Sequence, residues 1–243
     1  MTSGCSGTKF SAASDGGAGR DTGTTANIPS PCADGGAAAH QLCDDFDMSS
    51  SLAARWTTAP ACQPAVVNSA ESASPPNALL TPPQDGGAMC VIASTELSVA
   101  LNTFVHCEFD VLEDGSPTAD FLFFVLGTDA SGYMLTLALT RGASPPFQVQ
   151  ESVVGPDGGT TSNPLMPLTN GPSSLMGWHH VAVLLLVGPP RTLTVTFDKF
   201  PASLVNLPLY AAGAMHEFIS IGVIQYGGVN ATLRHDNIFC DVK

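Results

Sequence analysis

In several segments of this chain, apolar side chains recur at every second position. Within "RTLTVTFD", Leu193, Val195 and Phe197 fall on one side of an extended backbone. Thr192, Thr194, Thr196 and Asp198 fall on the other, which is the alternation of a strand with one dry face and one wet face. "CEFDV" repeats the pattern, with Cys107, Phe109 and Val111 opposed by Glu108 and Asp110. "MCVIAS", "DFLFFVLG", "GYMLTLALTRG", "PFQVQESVV", "WHHVAVLLLV", "EFISIGVIQYG" and "HDNIFCDV" read as further strands, and "DASG", "GPDGG", "VGPP" and "YGGVN" supply turn chemistry between them. No segment sustains a 3.6-residue period over three turns. The pattern therefore predicts an all-β chain of about ten to twelve strands, without repeats, folded as a two-sheet antiparallel sandwich.

The alternation begins only near "LCDDFD". Residues 1–40 hold almost no large apolar side chains, so burial cannot offset the entropy of ordering them. They are expected to form a disordered, flexible Gly/Ala/Ser-rich tether, leaving residues 41–243 as one domain. Charge narrows the partners. Acids outnumber bases 21 to 8, giving a formal net charge of −13, and charged residues make up 12% of the chain. An acidic surface of this kind does not suit a phosphate backbone, so no nucleic-acid partner is expected. "VAVLLLV" is the longest candidate apolar run and is far short of a membrane span.

Seven cysteines occur, at positions 5, 32, 43, 62, 90, 107 and 240, with no C-x-x-C pair. That argues for disulfides in an oxidising compartment rather than for a metal-thiolate site. Setting Cys5 aside leaves six, which allow fifteen pairings. The pairing favoured is Cys32 with Cys43, Cys62 with Cys90, and Cys107 with Cys240. Near the start, Ser3-Gly4-Cys5 resembles the end of a bacterial lipoprotein signal, which implies lipidation of Cys5.

The sandwich resembles the concanavalin A-like lectin/glucanase domains, in the LamG-like jelly-roll form found on bacterial surface lipoproteins. The likeness spans residues 41–243. It rests on "CDDFD" followed by Trp56, on "GWHHVAVLLLVGPPRTLTVTFD", and on the closing "HDNIFCDV". One departure is "FDKF", which replaces the usual Asp-Gly turn after the second hairpin strand. The resemblance implies an extracellular or outer-surface location, with the periplasm as an alternative, and a glycan or a surface protein as partner. It also implies a structural calcium ion, with Asp236 as side-chain ligand and Asp45 as the nearest candidate companion, since hard cations prefer oxygen. The competing reading of Asp236 is an Asx-type turn.

Family-16-type glycosidases share this fold and carry a Glu-x-Asp-x-x-Glu strand, a spacing matched here by Glu108, Asp110 and Glu113. A retaining mechanism needs two carboxyls about 5 to 5.5 Å apart. Positions 108 and 113 differ by an odd number, so a regular strand sends them to opposite faces unless a bulge intervenes. The run also lies on what the enzyme pattern treats as an earlier framework strand, and "EDGSPTAD" reads as a polar turn taking Glu113 with it. Trp56 and Trp178 occupy framework positions, leaving few aromatic platforms. The expectation is therefore a non-catalytic surface domain that binds carbohydrate or a protein, with Tyr133 and Tyr226 as exposed stacking rings. A glycoside hydrolase using Glu108, Asp110 and Glu113 is the alternative, and a structural or adhesion component the second.

Overall fold

In a computed structural model the described residues are 32, 40–47, 56, 66–68, 72–74, 76–81, 89–100, 102–115, 121–128, 132–155, 157–188, 191–209, 218–226 and 231–243. Of the expected tether only Cys32 and His40 are described, and Cys5 and the pair Cys62 with Cys90 lie outside the described residues or side chains. The described elements are β1 (Leu42–Asp44), β2 (Val66–Asn68), β3 (Ala78–Thr81), β4 (Met89–Ser98), β5 (Thr103–Gly115), β6 (Phe121–Thr128), β7 (Tyr133–Leu139), β8 (Phe147–Val154), β9 (Thr160–Ser162), β10 (Met166–Pro167), β11 (His179–Val187), β12 (Thr192–Phe197), β13 (Ser203–Asn206), β14 (Phe218–Tyr226) and β15 (Ala231–Val242). All are strands.

They form two antiparallel sheets. The first runs β13-β12-β11-β5-β15-β3-β2, with β1 also on β15; the second runs β10-β8-β7-β6-β14-β4, with β9 on β8. This is the two-sheet antiparallel sandwich read from the alternation, in the jelly-roll form that the resemblance implies. Leu193, Val195 and Phe197 are each 0% exposed, as are Cys107, Phe109 and Val111. Facing rings join the layers. Phe109 stacks on Phe124 at 4.5 Å, and Phe147 meets Phe197 at 4.6 Å.

Two bulges shape the interior. On β15 the register shifts between Asp236 and Phe239, and Asn237 there takes a φ of 50°, a left-handed conformation that Asn tolerates better than most residues. The extra residue reverses the strand's phase: Leu233 and His235 face inward before it, Ile238 and Cys240 after it. Only that reversal lets Cys240 meet Cys107 across the β5–β15 ladder, where the two form a disulfide; Cys32 and Cys43 form the other described one. On β6 the shift between Leu122 and Phe124 leaves the Phe123 carbonyl to be satisfied from outside the ladder. The buried His235 does so, its Nε2–H donating to Phe123 O at 2.8 Å. Burial pushes the imidazole down to about 4, so it is neutral.

The departure at "FDKF" also has a local explanation. Asp198 itself adopts a φ of 44°, the conformation a glycine would supply. Its side chain holds the turn, Oδ1 accepting from the His180 backbone N–H and Oδ2 bonding the His179 ring.

Candidate functional site

Strand β5 is regular along its ladder with β11, every pair keeping one register from His179↔Val111 to Val187↔Thr103. Parity therefore decides where each acid of the Glu-x-Asp-x-x-Glu run points. Glu108 and Asp110 face outward. Glu113 faces inward, is 4% exposed and is paired with Arg141, which follows β7 in the other sheet. The three acids thus do not share a face, and no bulge on β5 brings them together. The expectation that Glu113 belongs to a polar turn is corrected as well: it lies within β5, its N–H donating to Leu175 O at 2.7 Å.

The outward pair is built into a network that crosses three neighbouring strands. His180 of β11 lies opposite Asp110 in register. Its Nδ1 bonds Asp110 Oδ1 and its Nε2 bonds Glu108 Oε2, each at 3.0 Å. The other Glu108 oxygen meets His106 Nε2 at 3.1 Å. Asp110 Oδ2 accepts from Asn237 Nδ2 at 2.7 Å, so the β15 bulge aims an amide at the site. Asn237 Oδ1 in turn accepts from Ser74 Oγ at 2.9 Å.

The electrostatics follow from this wiring. Bonds to Asp110 and then to Glu108 raise His180 to about 10, against the cost of partial burial. The same bond, more than burial can offset, holds Glu108 below the usual glutamate range. Both ring nitrogens of a charged imidazole donate, and two carboxylates accept. The His180 side chain remains 45% exposed, so this network meets solvent.

Rings border the network. Phe239 lies opposite Glu108 in the β5–β15 register. The His40 ring lies over it at 4.4 Å, tilted by 37°, and His106 approaches edge-on at 6.1 Å. Phe104, on the same outward parity of β5, is 41% exposed. None of these rings was a sequence candidate. Tyr133 was, and it is corrected: it shares the inward parity of Leu135, Leu137 and Leu139, is 4% exposed, and donates its hydroxyl to Glu151 at 2.9 Å. Tyr226 ends β14, and its side chain lies outside the described residues.

The first described strand pairs with the last, β1 on β15. Among the described residues, the two carboxylates of the expected calcium site bond backbone N–H groups and do not converge on a shared cation position. Asp236 is 0% exposed, and its two oxygens accept the backbone N–H groups of Ser74 and Asn237, each at 2.8 Å. Asp45 caps its own turn, accepting from Asp47 N at 3.3 Å. Among the described residues, no three His, Cys, Asp or Glu side chains converge as a metal would require. Burial, with the charges of Asp110 and Asp47, pushes Asp236 up to about 7.

No family model and no curated protein matches the sequence. Solved structures do match in fold. A GH16 protein of the Bacteroides ovatus mixed-linkage glucan PUL, in complex with G4G4G3G product, is 9% identical with a TM-score of 0.54, covering 83% of this chain and 99% of that one. A structure described under endo-acting O-glycanases expressed by human gut microbiota to initiate mucin breakdown is 13% identical with a TM-score of 0.51, covering 84% and 98%. The endo-β-1,4-glucuronan lyase of Trichoderma reesei is 10% identical with a TM-score of 0.51, covering 83% and 95%. At such identities the likeness shows the jelly-roll fold alone.

Proposed function

We propose that residues 41–243 form a carbohydrate-binding domain acting outside the cytosol, and that sugar meets it at the outward face of β5, β11 and β15. One observation carries this reading: His180 bridges the side chains of Glu108 and Asp110 across from the ring of Phe239, with the exposed ring of Phe104 further along the same face of β5. Carboxylate and amide groups that bind hydroxyls, next to rings that stack on the apolar face of a pyranose, are what a sugar site is made of. The same wiring supports binding without hydrolysis. A glycosidase needs one carboxyl kept protonated by a raised pKa. Glu108 is instead lowered, and Glu113 is buried on the far side.

A second reading, a glycoside hydrolase, is favoured by the GH16 fold neighbours. On this chain it would rest on Glu108 and Asp110, without Glu113. The disulfides and the fold support an extracellular or outer-surface location. In this reading the residues before Cys32 serve as the tether and Cys5 as the lipid-bearing residue, while Cys32 and His40 are attached to the domain.

The test joins a glycan array to a reducing-end assay on a mixed-linkage β-glucan tetrasaccharide. Binding without release of reducing ends supports the main reading. Release by the wild type that Glu108→Gln abolishes would establish the hydrolase instead. Silence on every glycan would leave a protein partner or a structural role.

A further inference from the structure

We propose that His40 occupies the sugar-stacking place on Phe239 and that the Cys32–Cys43 disulfide keeps it there, so that the chain restrains its own glycan binding. This inference rests on the site proposed above. Phe239 is the phenyl ring set directly across from Glu108. Any pyranose held by Glu108 and Asp110 would have that ring as its nearest platform. The platform is already covered, because the His40 ring lies over Phe239 at 4.4 Å. His106 meets the same ring only by its edge, at 80°.

The covering contact is built rather than incidental. His40 Nδ1 bonds Asp241 Oδ2 at 2.8 Å, and the other Asp241 oxygen accepts from Gln41 N at 3.4 Å. Cys43, three residues on, is joined to Cys32 with a Cα–Cα distance of 5.5 Å. Yet His40 precedes β1, which begins at Leu42, so its departure costs no ladder hydrogen bond. An imidazole and a sugar ring compete for one face of one phenyl group, and an aromatic contact of this size is strong enough to shift affinity about tenfold.

The experiment is calorimetric titration of the full chain with the mixed-linkage β-glucan tetrasaccharide. His40→Ala should bind about tenfold more tightly than the wild type. The double variant C32A/C43A, which keeps the ring but frees the segment, should gain less. Adding Phe239→Ala to His40→Ala should erase the gain, with circular dichroism checking that each variant stays folded. Equal or weaker binding by His40→Ala, with the wild type still binding, overturns this inference and leaves the glycan site standing. If neither form binds this or any other arrayed glycan, the site itself falls, and the inference with it.

Discussion

The two faces of β5 carry the same kinds of residue to opposite ends. Inward, Glu113 is 4% exposed and spent on Arg141, joining the two sheets. Outward, Glu108 and Asp110 share one imidazole at the edge of solvent. The second sheet differs: on the corresponding side of β7 and β8, Thr136, Ala138 and Ser152 are only 2%, 5% and 7% exposed, and Met134, Thr136, Ala138, Ser152, Gln150 and Gln148 include no ionisable group. Of these two faces, the side of β5 that meets solvent is the one that carries the charged network. The inward acid serves stability, and the outward pair is available for recognition.

That contrast can be broken from the inside first. Replacing Cys107 and Cys240 together by alanine removes a link that closes a 133-residue separation. Urea unfolding should then show a loss of about 4 to 5 kcal/mol on the chain-entropy account. Glu113→Ala leaves Arg141 facing the interior without that partner. We expect about 3 kcal/mol of destabilisation, with the affinity of the folded fraction for glycan unchanged. Loss of binding in the folded fraction would mean that the two faces are not separate.

Titration sharpens the comparison. His235 is lowered from 6.5 to about 4, so between those values the unfolded chain binds the extra proton. Its contribution, about 3 kcal/mol, is present above pH 6.5 and lost as pH falls toward 4. Asp236, raised from 3.8 to about 7, acts in the reverse sense, since the folded chain keeps its proton longer and stability declines as pH rises through that window. Asp236→Asn should therefore steepen the loss of stability on acidification, read from unfolding midpoints between pH 4 and 7.

The smallest stability effect belongs to the outward face. His180 is raised to about 10, so its support is complete below pH 6.5 and lost as pH climbs through 10. At 45% exposure solvent screens the pair, and His180→Ala should cost no more than about 1 kcal/mol. Glycan affinity should nevertheless fall about tenfold, because both carboxylates lose their common donor.

Much of the fold was legible because inward parity leaves a period-2 trace. Phe109 and Val195 could be placed inside from the alternation alone. The separation of Glu108 from Glu113 was legible too, given a regular strand. The network was not. That His180 sits opposite Asp110 is a matter of register between β11 and β5, and register is set by the whole packed sheet. Asn237 reached the site through a bulge that "HDNIF" signals only as turn chemistry. Phe239 changed faces at that same bulge, so simple alternation misassigns it. Tyr133 was misjudged because its proximity to "DASG" spoke of a rim, whereas its phase with Leu135 and Leu137 spoke of the interior.

The central claim is that sugar meets the outward pair through His180 and leaves intact. It is tested most directly by a proton–nitrogen spectrum of the histidine rings during addition of the mixed-linkage β-glucan tetrasaccharide. The account predicts that the His180 signals, from a doubly protonated ring at neutral pH, move with sugar while those of buried His235 stay fixed, and that no new reducing-end anomeric signals grow in. Stationary His180 signals under saturating sugar, or the appearance of cleavage products, would contradict it.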